Sequence, residues 1–151
     1  MAHYTTSAPT AWDAADAFSY MADLRNFPEW DPGTVRATQL TGDGPGPDAT
    51  YDLEVRAAGG RTTVMRYEVT EWDPPHRIVL TASTRVLRSV DEIRVGASPS
   101  GAVVTYDAQL DLSGALRLAD PLLGLAFRRI GDRAAAGLRR TLAGDATVGR
   151  P

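Results

Sequence analysis

Most of the chain between residues 34 and 112 alternates apolar and polar positions, which is typical of strands that bury one face. The stretch "TYDLEVRA" at 50–57 places Tyr51, Leu53 and Val55 on one side and charged residues on the other. "TVMRYEVTEW", "RSVDEIRV" and "AVVTYDAQLDL" repeat the alternation, and stretches such as "TGDGPGPD" indicate turns between them. With "HYTTSA", "TVRATQL" and "IVLTAST", these segments predict an antiparallel sheet of about six or seven strands.

Two stretches instead show the period of helices. Near the N-terminus, "TAWDAADAFSYMADL" places Phe18 and Met21 on one face, and "LRNFPEW" leaves room for a short second helix. After residue 119, apolar positions recur at steps of three or four along a long helix that ends at Gly144. The members of this stripe are Leu123, Phe127, Ile130, Ala134, Leu138 and Thr141.

The order of these elements predicts an α+β fold. A curved sheet with one apolar face needs a cover, and the C-terminal helix has the matching stripe. We therefore predict one domain over residues 1–144, with the sheet wrapped around the long helix and two short helices after the first strand. Residues 145–151 are predicted to form a flexible tail.

Composition excludes several kinds of chemistry. The chain has no cysteine and no lysine, so disulfides, thiolate nucleophiles and lysine Schiff bases are excluded. His3 and His76 have no spaced carboxylate partners, so the sequence predicts no metal site and no cofactor. The net charge of −3 argues against a nucleic-acid partner. Six arginines and two aspartates lie between residues 116 and 140; we interpret them as a solvated helix face, with an anionic membrane or partner surface as the alternative.

Location and assembly are less constrained. No apolar run is long enough to span a bilayer, so no integral membrane segment is predicted. The N-terminus lacks a basic segment followed by an apolar one, which predicts a soluble cytoplasmic protein. The oligomeric state is left open.

The tetrapeptide Glu-Trp-Asp-Pro occurs twice, at 29–32 and at 71–74. The flanking residues do not match, so the copies are not an internal repeat. Aspartate before proline favours an extended backbone, and proline ends a regular element. Both copies are thus predicted to end an element, and Trp30 is predicted to lie near the mouth of a cavity.

Three segments resemble the SRPBCC superfamily: "FSYMADLRNFPEWDPG", "YEVTEWDPPHRIVL" and "LRLADPLLGLAFRRIGDRAAAGLRRTL". More narrowly, the chain is similar to the polyketide cyclase/dehydrase and lipid transport group, which shares the helix-grip fold with START domains and birch-pollen-allergen-like proteins. The resemblance implies a deep, mostly apolar cavity between sheet and helix. Members bind lipids, hormones, polyketides and other hydrophobic molecules, and some are cyclases or aromatases.

With that resemblance, the strand phases predict the residues that line the cavity. The predicted lining comprises Trp30, Tyr51, Leu53, Val55, Tyr67, Asp91, Ile93, Tyr106, Ala108, Leu110, Leu123, Phe127 and Ile130. Asp91, Tyr67 and Tyr106 are the candidates for acid–base catalysis, with Ser83 or Thr81 as further polar groups. Asp91 would alternatively be solvated near a strand end, or paired with Arg85 or Arg88.

Three functions are compatible with these observations. The first is binding, and possible transport, of a small hydrophobic molecule such as a lipid or polyketide. The second is a polyketide cyclase, aromatase or dehydratase that uses Asp91 and the cavity tyrosines. Aromatase/cyclases of the family are thought to hold a carbonyl with an inward arginine, and no arginine falls clearly on the inward face here. The third is a protein-interaction module with a filled core.

Overall fold

The computed structural model describes residues 1–144, apart from the side chains of Ala58 and Asp120. One seven-stranded sheet has the strand order β1-β7-β6-β5-β4-β3-β2, and every neighbouring pair is antiparallel. The strands are β1 (Ala2–Thr10), β2 (Thr34–Thr41), β3 (Thr50–Arg56), β4 (Thr62–Asp73), β5 (Arg77–Ser83), β6 (Leu87–Ser98) and β7 (Gly101–Leu112). The tail predicted at 145–151 lies outside the described residues.

The helices follow the predicted order. They are α1 (Ala14–Ala22), α2 (Phe27–Trp30) and α3 (Asp120–Leu142), with short 3₁₀ helices at Leu24–Asn26, Ala58–Gly60 and Gly114–Ala119. A curved antiparallel sheet, two short helices after the first strand and a long C-terminal helix make up the predicted helix-grip α+β fold, which is confirmed. No helix within residues 1–144 is both long enough and apolar enough to cross a membrane.

The sheet is a meander from β2 to β7, and only β1 is out of sequence order. It pairs with β7, with Thr6 opposite Tyr106. The chain between β1 and β2 forms α1 and α2, which carry it from one edge of the sheet to the other. The Asp13 side chain caps the first of these helices, accepting a 2.7 Å hydrogen bond from the backbone N–H of Asp16.

The second half of α3 packs closely on β1 and α2. The Tyr4 hydroxyl donates a 2.8 Å hydrogen bond to Asp132 Oδ1. Two glycines allow the close approach: a Cβ at Gly131 would lie 2.4 Å from the Tyr4 ring, and one at Gly137 would lie 1.9 Å from the carbonyl oxygen of Trp30. Only residues without a side chain fit at such separations.

The first half of α3 is packed differently. Ala134 and Leu138 are buried as the stripe predicts, but Leu123 and Phe127 are only half-buried and Ile130 is 47% exposed. Tyr4, near the start of β1, lies against Gly131, so the earlier turns of α3 extend past that end of the strand. The sequence period identified the helix face correctly, but it did not show where the covering sheet ends.

Candidate functional site

The inner face of the sheet is apolar across all its central strands. Strand register brings its residues into rows, because Tyr51 pairs with Tyr67, and Asp91 pairs with Leu80 and Ala108. Of the predicted lining on this face, Tyr51, Leu53, Tyr67, Asp91, Ile93 and Ala108 are buried, whereas Val55, Tyr106 and Leu110 are half-buried. The strand arginines that alternate with them, Arg56, Arg66 and Arg94, are exposed, as are Arg85 and Arg88.

Asp91 is the charged residue of this apolar face. Its side chain is only 4% exposed. The Tyr106 hydroxyl donates a short hydrogen bond to Asp91 Oδ2, and the Ser89 hydroxyl donates to Oδ1 over 3.0 Å. The Tyr67 hydroxyl in turn donates to Ser89 Oγ over 3.0 Å. The four side chains form one hydrogen-bonded chain that runs from β4 through β6 to β7.

Strand register explains why these groups meet. Ser89 and Asp91 are two residues apart on β6, so both point inward. Tyr106 pairs with Ile93 and lies diagonally across from Asp91, a separation that a tyrosine side chain can span. The alternation of β6 thus predicts the inward carboxyl group, and the register with β7 supplies its partner.

Burial dominates the electrostatics of the cluster. Loss of water raises the pKa of Asp91 to about 6, although the hydrogen bonds from Tyr106 and Ser89 favour the ionised form and oppose that rise. Burial also raises the pKa of Tyr106 and of Tyr67 well above the usual value, and the Asp91 charge reinforces both shifts. The tyrosines therefore stay protonated and donate hydrogen bonds, while Asp91 changes charge close to neutral pH.

A second carboxyl group acts on the cluster from the turn after α2. Burial raises the pKa of Asp31, although Thr34 Oγ1 and the Gly33 N–H each donate a 2.8 Å hydrogen bond to it. Its charge disfavours ionisation of Asp91 and of Tyr106. Asp31 therefore contributes to the field in which Asp91 titrates.

Aromatic rings line the α2 side of the same region. Trp30 lies with its ring centre 5.3 Å from that of Tyr106 and 4.8 Å from that of Phe27. Trp30 Nε1 and the Tyr51 hydroxyl are buried, with no hydrogen-bond partner among the described residues. Burial raises the pKa of Tyr51 to about 12, so its hydroxyl is a donor at neutral pH. Both groups are available to a polar atom placed beside them.

The helix and the inner face separate toward the start of α3. Leu123 and Phe127 share a helix face with Ala134 and Leu138, since all four recur at helical spacing. The later pair is buried and the earlier pair is half-buried, so the inner face covers only the second half of this stripe. The half-buried inner residues of the sheet are also on β7, at Tyr106 and at Leu110. This difference in burial marks an opening that leads toward Asp91.

Sequence analysis missed two members of the cluster. Ser89 has the same phase as Asp91 in β6, and this alternation could have identified it. Asp31 gave no such signal, because aspartate before proline is ordinary turn chemistry. The expected polar groups of β5 were wrong: Ala82 is the buried residue, Ser83 is exposed, and Thr81 contacts the outer-face Thr70 hydroxyl at 3.2 Å.

The alternatives for Asp91 are also resolved. Asp91 bonds to Ser89 and Tyr106, whereas Arg85 and Arg88 are exposed. Its neighbour Glu92 points to the outer face, where it pairs with Arg77 at 2.7 Å. The strand phase that a one-residue slip would have reversed is therefore settled.

The outer face carries a shallow depression of about 320 Å³. Its polar side chains pair with one another, as in the 2.6 Å contact between His3 and Asp107. Such a solvated network of ion pairs differs from the apolar surroundings of Asp91. Within the described part of residues 1–144, no group of three or more His, Cys, Asp or Glu side chains is arranged to hold a metal ion.

Comparison with known proteins identifies a family and a fold. A family model described as "Polyketide cyclase / dehydrase and lipid transport" matches residues 1–143. A search of curated proteins by sequence gave no match.

Three solved structures resemble the chain. The di-domain ARO/CYC StfQ from the steffimycin biosynthetic pathway has a TM-score of 0.68 and 17% identity, with 93% of this chain and 50% of that chain covered. The present chain thus spans about half the length of that protein. A START superfamily protein from Mycobacterium smegmatis (TM-score 0.73, 14% identity) covers 93% and 96%. The protein TTHA0849 from Thermus thermophilus (0.73, 13%) covers 93% and 95%. At these identities the likeness shows the fold alone.

Proposed function

The chain belongs to the polyketide cyclase / dehydrase and lipid transport family, and we propose that it binds a small hydrophobic molecule between the sheet and the first half of α3. The ligand would enter beside Leu123 and Phe127 and lie against the inner face of β6 and β7. Its class would be a lipid or polyketide with a carbonyl or hydroxyl oxygen at one end. That oxygen would reach the Asp91 cluster.

The observation that carries this proposal is the buried carboxyl group at the inner end of the opening. A carboxyl group with a raised pKa costs folding free energy at neutral pH, and apolar residues would fill a structural core at lower cost. The unpartnered donors Trp30 Nε1 and Tyr51 hydroxyl add to this argument. Polar groups in an apolar surround are the arrangement that orients a mostly hydrophobic ligand. This favours a binding site over a filled interaction module.

Added bulk on the inner face of β7 should abolish binding. Ala108 is buried beside Asp91, so Ala108→Trp would fill the space, and Leu110→Trp would fill it nearer the opening. The natively purified protein is extracted with organic solvent for mass spectrometry, and binding of the apolar fluorophore anilinonaphthalene sulfonate is titrated. We expect both variants to lower fluorophore affinity by about tenfold or more.

The control is Val103→Trp, which adds the same ring to the exposed outer face of β7. It should leave fluorophore affinity and the extracted material unchanged. Thermal unfolding of each variant separates a filled site from a lost fold. An empty extract, together with equal fluorophore affinity in all four proteins, would contradict the proposal.

Acid–base catalysis is a second candidate, favoured by the pKa of Asp91 near 6. A general base works best when its pKa lies near the operating pH. Asp91 would accept a proton from the carbon next to a bound carbonyl, while the Tyr106 hydroxyl stays protonated and holds Asp91 in place. This candidate requires the binding site described above.

Proton exchange on a hydrophobic ketone tests the catalytic role. Phenyl propyl ketone is incubated with the protein in D₂O, and deuterium incorporation next to the carbonyl is followed by NMR. Asp91→Asn should lower any protein-dependent rate by about a hundredfold, because the amide cannot accept the proton. Glu92→Gln, which changes the adjacent but outward carboxylate, is the matched control and should retain the rate. If the wild-type protein does not exceed the rate in buffer, binding is left as the function.

A further inference from the structure

A run of leucines at the start of the C-terminal helical region faces away from the domain. Leu118 is 89% exposed, Leu122 is 74% exposed and Leu125 is 56% exposed. Leu118 belongs to the 3₁₀ helix Gly114–Ala119, and the others lie in the first two turns of α3. Scattered surface leucines are ordinary, but three within eight residues form a contiguous apolar tip.

The same outward face becomes basic farther along α3. Leu122, Leu125, Arg129 and Arg133 follow one another at steps of three and four, so they lie on one side of the helix. Seven residues separate Leu122 from Arg129, or roughly 10 Å along the axis. That spacing matches a helix whose apolar part sits about 5–10 Å below the level of lipid headgroups.

The arginines of this helix have no acidic partners among the described side chains. Arg128, Arg129 and Arg133 form no ion pair with any side chain that the structure describes in residues 1–144. The arginines of the sheet behave differently, since Arg66 bonds Asp52 at 2.8 Å and Arg77 bonds Glu92 at 2.7 Å. Residues 116–140 carry six arginines and two aspartates within a chain of net charge −3. The positive charge is therefore concentrated beside the leucine tip and is available to an outside partner.

We propose that the leucine tip and the arginines behind it dock on the surface of an anionic lipid bilayer. Leu118, Leu122 and Leu125 enter the acyl boundary, and Arg129 and Arg133 contact the phosphate groups. A second copy of the chain fits this face less well, because it would bring two basic stripes together. Three leucines also bury far less area than a stable dimer needs, which is about 1,200 Å² or more.

The docked orientation places the opening beside the bilayer. Leu123 and Phe127 border that opening and occupy the same turns of α3 as Leu122 and Leu125. A hydrophobic molecule could then pass between bilayer and protein without crossing water. The docking itself does not depend on the ligand site, so either proposal can fail while the other stands.

Vesicle co-sedimentation of the wild-type chain tests the docking. Vesicles of phosphatidylglycerol mixed with phosphatidylcholine are compared with vesicles of phosphatidylcholine alone, at low and high salt. We expect binding to the anionic vesicles that weakens with salt and is at least about tenfold tighter than to the neutral ones. Leu118→Ser with Leu122→Ser should weaken binding about tenfold, and Arg129→Gln with Arg133→Gln about thirtyfold.

The control is Val64→Ser with Arg85→Glu, which alters an exposed valine and an exposed arginine elsewhere and should leave binding unchanged. Equal sedimentation with both vesicle types, or none with either, would overturn the proposal. Light scattering during gel filtration covers the rival occupant: a dimer that the leucine variant converts to a monomer, without vesicle binding by the wild type, assigns this face to self-association.

Discussion

Replacing Asp91 with asparagine should stabilise the protein at neutral pH and have little effect in acid. The folded state raises the pKa of this carboxyl group from 3.8 to about 6. Between these two values the folded protein binds more protons than the unfolded chain, so its free energy of unfolding falls as pH rises. The shift corresponds to about 3 kcal/mol, more than a hundredfold in the unfolding constant.

Urea denaturation from about pH 3 to pH 8 measures this effect as the difference between the Asn variant and the wild type. The difference should grow between about pH 4 and pH 6 and stay constant above that range. Taking the difference cancels the titration of the other carboxyl groups. An advantage that is the same at every pH would mean that Asp91 does not titrate in this window.

Asp52→Asn is a control of opposite sign. Hydrogen bonds from Arg66 lower the pKa of Asp52, so the ionised carboxylate contributes stability that is lost as pH falls through its folded pKa. The Asn variant should therefore be slightly less stable than the wild type at neutral pH, and the two should converge in acid. The effect is small because this pair is exposed to water.

Trp30→Ala should be far more destabilising than Trp72→Ala, although both tryptophans come from the same tetrapeptide. Trp30 is fully buried against Phe27 and Tyr106 and beneath Gly137 of α3. Its removal should cost about 3–5 kcal/mol, because the helix cannot collapse into the space without losing its contact with β1. Trp72 is half-buried and packs on Phe18 with ring centres 5.4 Å apart, so about half that cost or less is expected.

Equilibrium urea unfolding of the two variants gives the comparison directly. A loss of this size approaches the whole stability of a domain, so Trp30→Phe, which keeps a ring in the site, is measured beside Trp30→Ala. The phenylalanine variant should retain a cooperative transition. Equal losses at Trp30 and Trp72 would show that burial at the two corners is energetically alike, contrary to the packing.

The predicted cost of ionised Asp91 bears on function. A residue that lowers stability at neutral pH would be expected to persist where its chemistry is needed, since stability and activity commonly oppose each other at functional sites. The stability measurement and the ketone exchange experiment use the same Asn variant. A variant that is more stable and has lost exchange would join both properties to one carboxyl group.

Local pattern determined the fold and much of the inner face. Period-two alternation identified the strands and placed Tyr51, Tyr67, Asp91 and Ile93 inward, because successive side chains of a strand point to opposite faces. Helical spacing likewise identified the face of α3 that Ala134 and Leu138 bury. These properties depend on neighbours in the chain, so the sequence by itself carried them. The family resemblance was confirmed by the match over residues 1–143.

Tertiary structure alone decided what those residues meet. The diagonal approach of Tyr106 to Asp91 follows from strand register, the charge of Asp31 arrives from a turn some sixty residues earlier in the chain, and the exposure of Ile130 follows from where β1 ends. Each depends on contacts between residues distant in sequence, which periodicity does not encode. The pKa of Asp91 is likewise a property of its burial, because water removed by the whole fold raises it.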